Sequence, residues 1–249
     1  MSIKAIAAAA ALVAAFVAPA RAEPVKTIVI VHGAFADGSG WRPVADILSK
    51  DGYSVSIVQE PLTSLADDVA ATKRVLALQP SPTLLVGHSY GGVVITEAGD
   101  APNVVGLVYI AAFIPDKGES AVSLLSSAPP ANNDMRATKD GFLYLDPTAY
   151  PADFAADVEP TEANFMAHSQ PMLAAAGGGA PVTVAAWRQK KSWALVASSD
   201  HNINPDLERR MAKRAGAETI EVAGSHAVYL SKPDEVAALI ERAAKASGQ

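Results

Sequence analysis

Short runs of β-branched and apolar residues alternate along the chain with stretches in which apolar residues return every third or fourth position. This rhythm predicts a parallel sheet with helical crossovers, because a tight turn cannot join parallel strands. Thr27–Val31 (TIVIV) reads as a buried strand stopped by His32-Gly33. Trp41, Val44, Ile47 and Leu48 then recur at helical spacing until Asp51-Gly52 breaks the pattern. Ser54–Val58 is a second strand, and Ser64 is placed to cap a helix with Leu65, Val69, Thr72 and Val75 near one face. That helix ends before the Pro80-Ser81-Pro82 turn. Thr83–Val86 is a third strand, leading through a Gly-rich turn to a helix that begins near Tyr90. Val104–Phe113 is almost continuously apolar, as a strand covered on both faces should be. Trp193–Ala197 and Glu218–Val222 complete six strands, with a helix around Pro205–Ala215 between them. Pro233, suited to a first helical turn, opens a closing helix that runs to Lys245.

From about Pro115 to Lys191 the rhythm fails. This stretch carries many of the prolines, a Gly177-Gly178-Gly179 run, and scattered large apolar residues such as Phe142, Tyr150, Phe154, Phe165 and Trp187. It is too long for a structureless loop in a compact domain, so a helical cap insertion over the strand ends is expected at about 115–191. No internal repeat or linker marks a second domain.

Residues 1–22 have a different character. Met1–Lys4 is a short basic start, Ala5–Val17 is uncharged and rich in Ala and Val, and Ala20-Arg21-Ala22 is a small-x-small site. The apolar run falls short of the ~20 residues of a membrane span. It is expected to be a signal peptide cleaved before Glu23, directing the protein to the periplasm or the medium. The domain then covers residues 23–249, long enough to bury roughly 70–75% of its unfolded surface in one core.

Composition narrows the chemistry. The chain is 50% hydrophobic and has no cysteine, which excludes disorder, disulfide stapling, a thiol nucleophile and a lipid-modified cysteine. Net charge is −6; without Lys4 and Arg21, two of the 20 Lys and Arg, it is −8. That balance gives no electrostatic footprint for nucleic acid or an anionic membrane, and no second apolar run is long enough to span a bilayer.

Gly87-His88-Ser89-Tyr90-Gly91 follows a strand and precedes a helix, the context in which G-x-S-x-G acts as a nucleophile elbow. The glycines let the backbone turn sharply, leaving the Ser89 hydroxyl at the carboxyl edge of the sheet. A serine hydroxyl needs a base. His226 follows the last strand in Val222-Ala223-Gly224-Ser225-His226 and is therefore expected at the same edge, whereas His168 and His201 are read as solvated or capping residues. The base needs an acid to hold its tautomer. Asp200 follows the strand Trp193–Ala197 and gives the chain order Ser, Asp, His expected of this elbow. Asp116, after Ile114-Pro115, is a rival for which a turn role is preferred. An oxyanion hole needs two backbone N–H groups: Tyr90 is expected to supply one and Ala34 the other, with Phe35 as the alternative.

Other chemistries fit poorly. There is no G-x-x-x-x-G-K-[ST] and no H-E-x-x-H, and Gly38-Ser39-Gly40 is followed by Pro43 where a dinucleotide turn has its third glycine. No cofactor and no metal are expected, and the partner is a small-molecule ester.

The pieces VHGAF, GHSYGG, LVYIAAFIPD, ASSDHNINP and GSHAVYLSKP together resemble the α/β-hydrolase superfamily across essentially the whole chain after residue 22. Within it the chain resembles the branch of plant methyl-ester esterases and hydroxynitrile lyases. The resemblance implies Ser89 as nucleophile, Asp200 as acid, His226 as base, Ala34 and Tyr90 as oxyanion donors, and a helical cap. The family carries eight strands, but the short segment before Thr27 predicts six here. Lyases of that branch use a threonine after the first-strand histidine and a lysine after the catalytic histidine. Gly33 and Ala227 stand at those positions, so ester hydrolysis is expected rather than cyanohydrin cleavage. The aromatic and aliphatic content of the insertion predicts a mainly apolar pocket.

Overall fold

The computed structural model describes residues 25–79, 82–132 and 134–248; the signal peptide expected over residues 1–22 lies outside them. The chain runs β1 (Thr27–Val31), α1 (Arg42–Lys50), β2 (Ser54–Val58), α2 (Leu65–Ala77), β3 (Thr83–Ser89), α3 (Gly91–Ala98) and β4 (Val104–Ala112). An insertion follows: α4 (Ala121–Ser127), β5 (Met135–Ala137), β6 (Phe142–Leu145), α5 (Tyr150–Asp153), α6 (Pro160–Ser169), β7 (Leu173–Ala174) and α7 (Ala175–Gly179). The core then resumes with β8 (Lys191–Ala197), α8 (Pro205–Arg214), β9 (Glu218–Val222), α9 (Val228–Ser231) and α10 (Pro233–Ser247).

Six strands form one sheet in the order β2-β1-β3-β4-β8-β9, and every pairing in it is parallel. The expected strand count and the doubly wound α/β class both hold. Central strands β1 and β3 are buried at every position, while the edge strands β2 and β9 carry Ser54, Ser56, Glu218 and Glu221. Polar edge residues blunt an edge that could otherwise pair with another chain. Helices α1 and α10 pack on each other, as do α2 and α3. Ser64 caps α2 by accepting from the Asp67 N–H at 3.1 Å, as its position predicts. Among the described residues, no helix is long and apolar enough to cross a membrane.

The insertion corrects one expectation: it is not purely helical. β5, β6 and β7 form a small antiparallel sheet between its helices. The β5–β6 hairpin closes through Thr138, whose N–H donates to the Phe142 carbonyl at 2.8 Å, and Gly141 takes φ +89°. β5 is exposed at all three positions and β7 is two residues long, so neither carries the alternation that marks a strand. The Gly177-Gly178-Gly179 run lies inside the short helix α7 rather than breaking the chain.

The insertion is fastened to the core by buried aromatic residues. Tyr150 and Phe154 stack at 4.7 Å, and the Tyr150 hydroxyl donates to the Phe35 carbonyl at 2.9 Å. The Ala227 N–H donates to the Phe154 carbonyl at 2.9 Å. Beneath them Trp41 stacks on Tyr229 at 4.8 Å. Truncating any of these buried rings to alanine should cost about 3–5 kcal/mol.

Candidate active site

The turn from β3 into α3 is as sharp as the glycines around Ser89 allow. Strand β3 runs three residues past Val86 and delivers Ser89 with φ +51°, a left-handed conformation rare for a residue with a side chain. A Cβ on Gly87 would lie 2.6 Å from the Gly91 carbonyl oxygen, and one on Gly91 would lie 2.5 Å from the His32 carbonyl oxygen. Any larger residue would force the strand and helix apart and relax the turn.

Three strand-exit loops converge on this point. Ser89 Oγ lies 2.8 Å from His226 Nε2, and His226 Nδ1 lies 2.5 Å from Asp200 Oδ2. A carboxylate only accepts, so Nδ1 carries the imidazole proton and Nε2 accepts from the serine hydroxyl. Asp200 is held by its own loop: its Oδ1 accepts from the N–H groups of Asn202 at 2.7 Å and Ile203 at 2.9 Å. His226 is clamped edge-on by Phe154 at 4.8 Å. Asp200 and His226 are buried, and Ser89 keeps 8% exposure.

The rival acid is elsewhere. Asp116 forms a surface ion pair with Arg188, whose Nε–H donates to it at 2.9 Å, and that pairing holds its carboxyl below the usual range. His201 is half exposed, 3.7 Å from Asp153, and His168 lies in the last turn of α6. His32, in the first strand-exit turn, is buried and neutral: its Nδ1–H donates to the Gly33 carbonyl and its Nε2 accepts from the Glu60 N–H.

Sequence reasoning missed Glu208. In Pro205–Arg214 it reads as one more surface charge, yet it is 2% exposed. Its Oε2 accepts from the Ala197 N–H at 3.4 Å, and its carboxyl lies against Asp200. Burial and the Asp200 charge push it well above the usual carboxylate range, so it faces Asp200 as a neutral acid.

Ala34, Phe35, Ser89, Tyr90 and His226 together line one cavity. The cap supplies much of the rest, including Leu125, Leu143 and Leu173, with Val122 and Met135 half exposed at its mouth. The Asn202 side chain also reaches the cavity, but both of its polar atoms are engaged, Nδ2 with the Asp153 carbonyl and Oδ1 with Asn132. The side-chain lining is therefore overwhelmingly apolar around one serine and one histidine.

A family model described as "Alpha/beta hydrolase family" matches residues 28–239. The alpha/beta hydrolase nvfD of Aspergillus novofumigatus is 28% identical over 247 residues, covering 87% of this chain and 96% of that protein. A carbendazim hydrolyzing esterase of Nocardioides sp. is 38% identical over 116 residues, 41% of this chain and 48% of that one. Among solved structures, a pyrethroid hydrolase from Sphingobium faniae superposes with a TM-score of 0.75 at 21% identity, covering 89% of this chain and 98% of that one. Polyneuridine aldehyde esterase gives 0.73 at 16% identity, with 87% and 98% covered.

Proposed function

The chain belongs to the alpha/beta hydrolase family, and from that membership we propose that it is a serine esterase acting on small to medium, mainly apolar carboxylic esters. The observation that carries this reading is the hydrogen-bonded series Ser89, His226, Asp200 set into the wall of an apolar cavity. The esterase and pyrethroid hydrolase among its relatives support the reaction class.

In the proposed cycle His226 Nε2 takes the Ser89 proton as Oγ attacks the ester carbonyl carbon. The resulting oxyanion is held by the backbone N–H groups of Ala34 and Tyr90, at the N-terminus of α3. Collapse breaks the bond to the alcohol oxygen, which receives the proton from His226, and leaves an acyl group on Ser89. Water, deprotonated by His226, then attacks the acyl carbon, and Ser89 departs with the proton as the carboxylic acid is released. Asp200 stabilises the imidazolium that forms in each half.

Gly33 and Ala227 support hydrolysis over cyanohydrin cleavage. A Cβ at position 33 would lie 2.7 Å from the Ser89 Cβ, and Ala227 is fully buried with no charge to offer departing cyanide. Export, expected from residues 1–22, is a further part of the proposal, and cell fractionation decides it.

The test is labelling by a fluorophosphonate together with turnover of p-nitrophenyl butyrate. Wild type is expected to take one label, on Ser89, and to lose ester turnover in step with labelling. Unlabelled Ser89, or cyanide release from mandelonitrile without ester turnover, overturns the reading.

A further inference from the structure

Tyr90 enters the proposed mechanism only through its backbone N–H, yet its side chain is also committed. The ring is 2% exposed, and its hydroxyl donates to Oδ2 of Asp68 at 3.0 Å. Asp68, on α2, has no exposed surface, and its Oδ1 accepts from the Leu62 N–H at 2.7 Å. Leu62 takes φ +56°, and its carbonyl accepts from the Ala174 N–H at 2.8 Å, next to the cavity-lining Leu173. Two residues earlier the Glu60 N–H donates to His32 Nε2 at 3.0 Å, and His32 Nδ1–H holds the Gly33 carbonyl at 2.8 Å. Both backbone arms assigned to the oxyanion are thus anchored, through buried polar side chains, to the same segment after β2.

We propose that the Tyr90 hydroxyl and Asp68 form a positioning brace that fixes the peptide N–H of residue 90 against the developing oxyanion. The inference rests on the Ser89 reading and deepens it. A peptide N–H stabilises an oxyanion only where that atom will be, and a donor free to tilt loses most of its advantage before any bond is broken. Ser89 is already strained at φ +51°, so the peptide that follows it gains from a second anchor. A tyrosine at this position does what a purely apolar residue cannot: it reaches from the elbow into α2 and ends on an acceptor. Burying the Asp68 carboxyl is costly, and the two hydrogen bonds it accepts offset that cost.

The test compares Tyr90→Phe, Asp68→Ala and Asp68→Asn with wild type. For each, p-nitrophenyl butyrate kinetics are measured beside two inhibitors of matched chain length. One is a trifluoromethyl ketone, which forms a hemiketal oxyanion on the serine; the other is butyramide, a neutral analogue of the bound ester. In Tyr90→Phe, kcat is expected to fall roughly tenfold and ketone affinity by the same factor, with KM and butyramide affinity within about twofold of wild type. Asp68→Ala should match it, and adding Tyr90→Phe to Asp68→Ala should cost little more. Asp68→Asn, which still accepts one bond and can donate to the tyrosine oxygen, should recover most of the loss. Wild-type kcat and ketone affinity in Tyr90→Phe overturn the brace, as does equal weakening of ketone and butyramide, which marks a loss of packing alone. Fluorophosphonate labelling of wild-type Ser89 separates the two levels. Absence of label overturns the Ser89 reading and the brace with it, whereas a labelled wild type with an unaffected Tyr90→Phe overturns the brace only.

Discussion

His88 donates its Nε2–H to the main-chain carbonyl of His226 over 3.0 Å, with the two rings 4.7 Å apart. The carbonyl can only accept, so the proton sits on Nε2, and the buried Nδ1 has no hydrogen-bond partner among the described residues. Burial, with His226 as the next cause, pushes His88 well below the ordinary histidine range. A neutral ring therefore stands beside the proposed base, where a second cation would oppose formation of an imidazolium on His226.

That arrangement has a signed consequence for acid stability. Folded His88 stays neutral while the unfolded histidine takes a proton below about pH 6.5, so the unfolded state binds more protons and stability falls as pH drops through that region. The His88 contribution to the slope should approach about 1.4 kcal/mol per pH unit. Denaturant titrations of wild type and His88→Gln between pH 7 and pH 5 should show the variant losing less. The comparison cancels the buried carboxyls Glu60 and Glu208, whose slopes have the opposite sign.

Ser89→Ala and His226→Ala should each remove nearly all p-nitrophenyl butyrate turnover, and the double variant should be no worse than either. Asp200→Asn should cost on the order of a thousandfold or more, because its amide cannot hold the Nδ1–H tautomer. Asp116→Asn, which only weakens the surface pair with Arg188, should leave kcat within about twofold of wild type. A reversal of the two aspartates would move the acid to the loop after β4.

The strands were legible because a parallel sheet covered on both faces writes itself as unbroken apolar runs, as in Thr27–Val31 and Val104–Ala112. That Ser89, Asp200 and His226 meet was legible because each follows a strand, and loops at one sheet edge must converge. The cap sheet was not legible: its strands are two to four residues long, too short to carry alternation, and the stretch read as helical. Asp68 and Glu208 were hidden for a different reason. Each is a charged residue on an amphipathic helix, where the rule is solvent exposure, and its burial depends on a partner outside that helix, Tyr90 or Asp200.

Glu60 offers the alkaline counterpart to His88. Its carboxyl is fully buried, with neither oxygen hydrogen-bonded among the described residues, and burial followed by the nearby Asp68 charge raises it well above the usual range. The fold keeps it protonated where the unfolded chain has released the proton, so this contribution is intact below about pH 4.5 and is lost as pH rises through the folded value. Glu60→Gln, neutral at every pH, should gain on wild type as pH climbs from 5 towards 8. Urea midpoints at several pH values measure it, and a constant offset would show Glu60 to be ionised in the fold.

The cavity mouth should set the size of the acyl or alcohol group. Val122 is 46% exposed and lines the opening, so Val122→Trp should narrow it without touching the hydrogen-bonded residues. The ratio of kcat/KM for p-nitrophenyl octanoate to that for acetate should fall about tenfold or more, with acetate turnover nearly unchanged. Parallel loss for both esters would place substrate elsewhere.

The cap is sewn to the core around Ser89, Asp200 and His226. Tyr150 holds the carbonyl of Phe35, the Phe154 carbonyl holds the N–H of Ala227 beside His226, and the Asp153 carbonyl holds Asn202 beside Asp200. The insertion is therefore not an interchangeable module. Transplanting residues 115–191 from a relative would sever the supports of the proposed oxyanion loop, the His226 loop and the Asp200 loop together. A chimera of that kind should lose catalysis before it acquires a new preference, and remodelling the rim one side chain at a time is the route that leaves those seams intact.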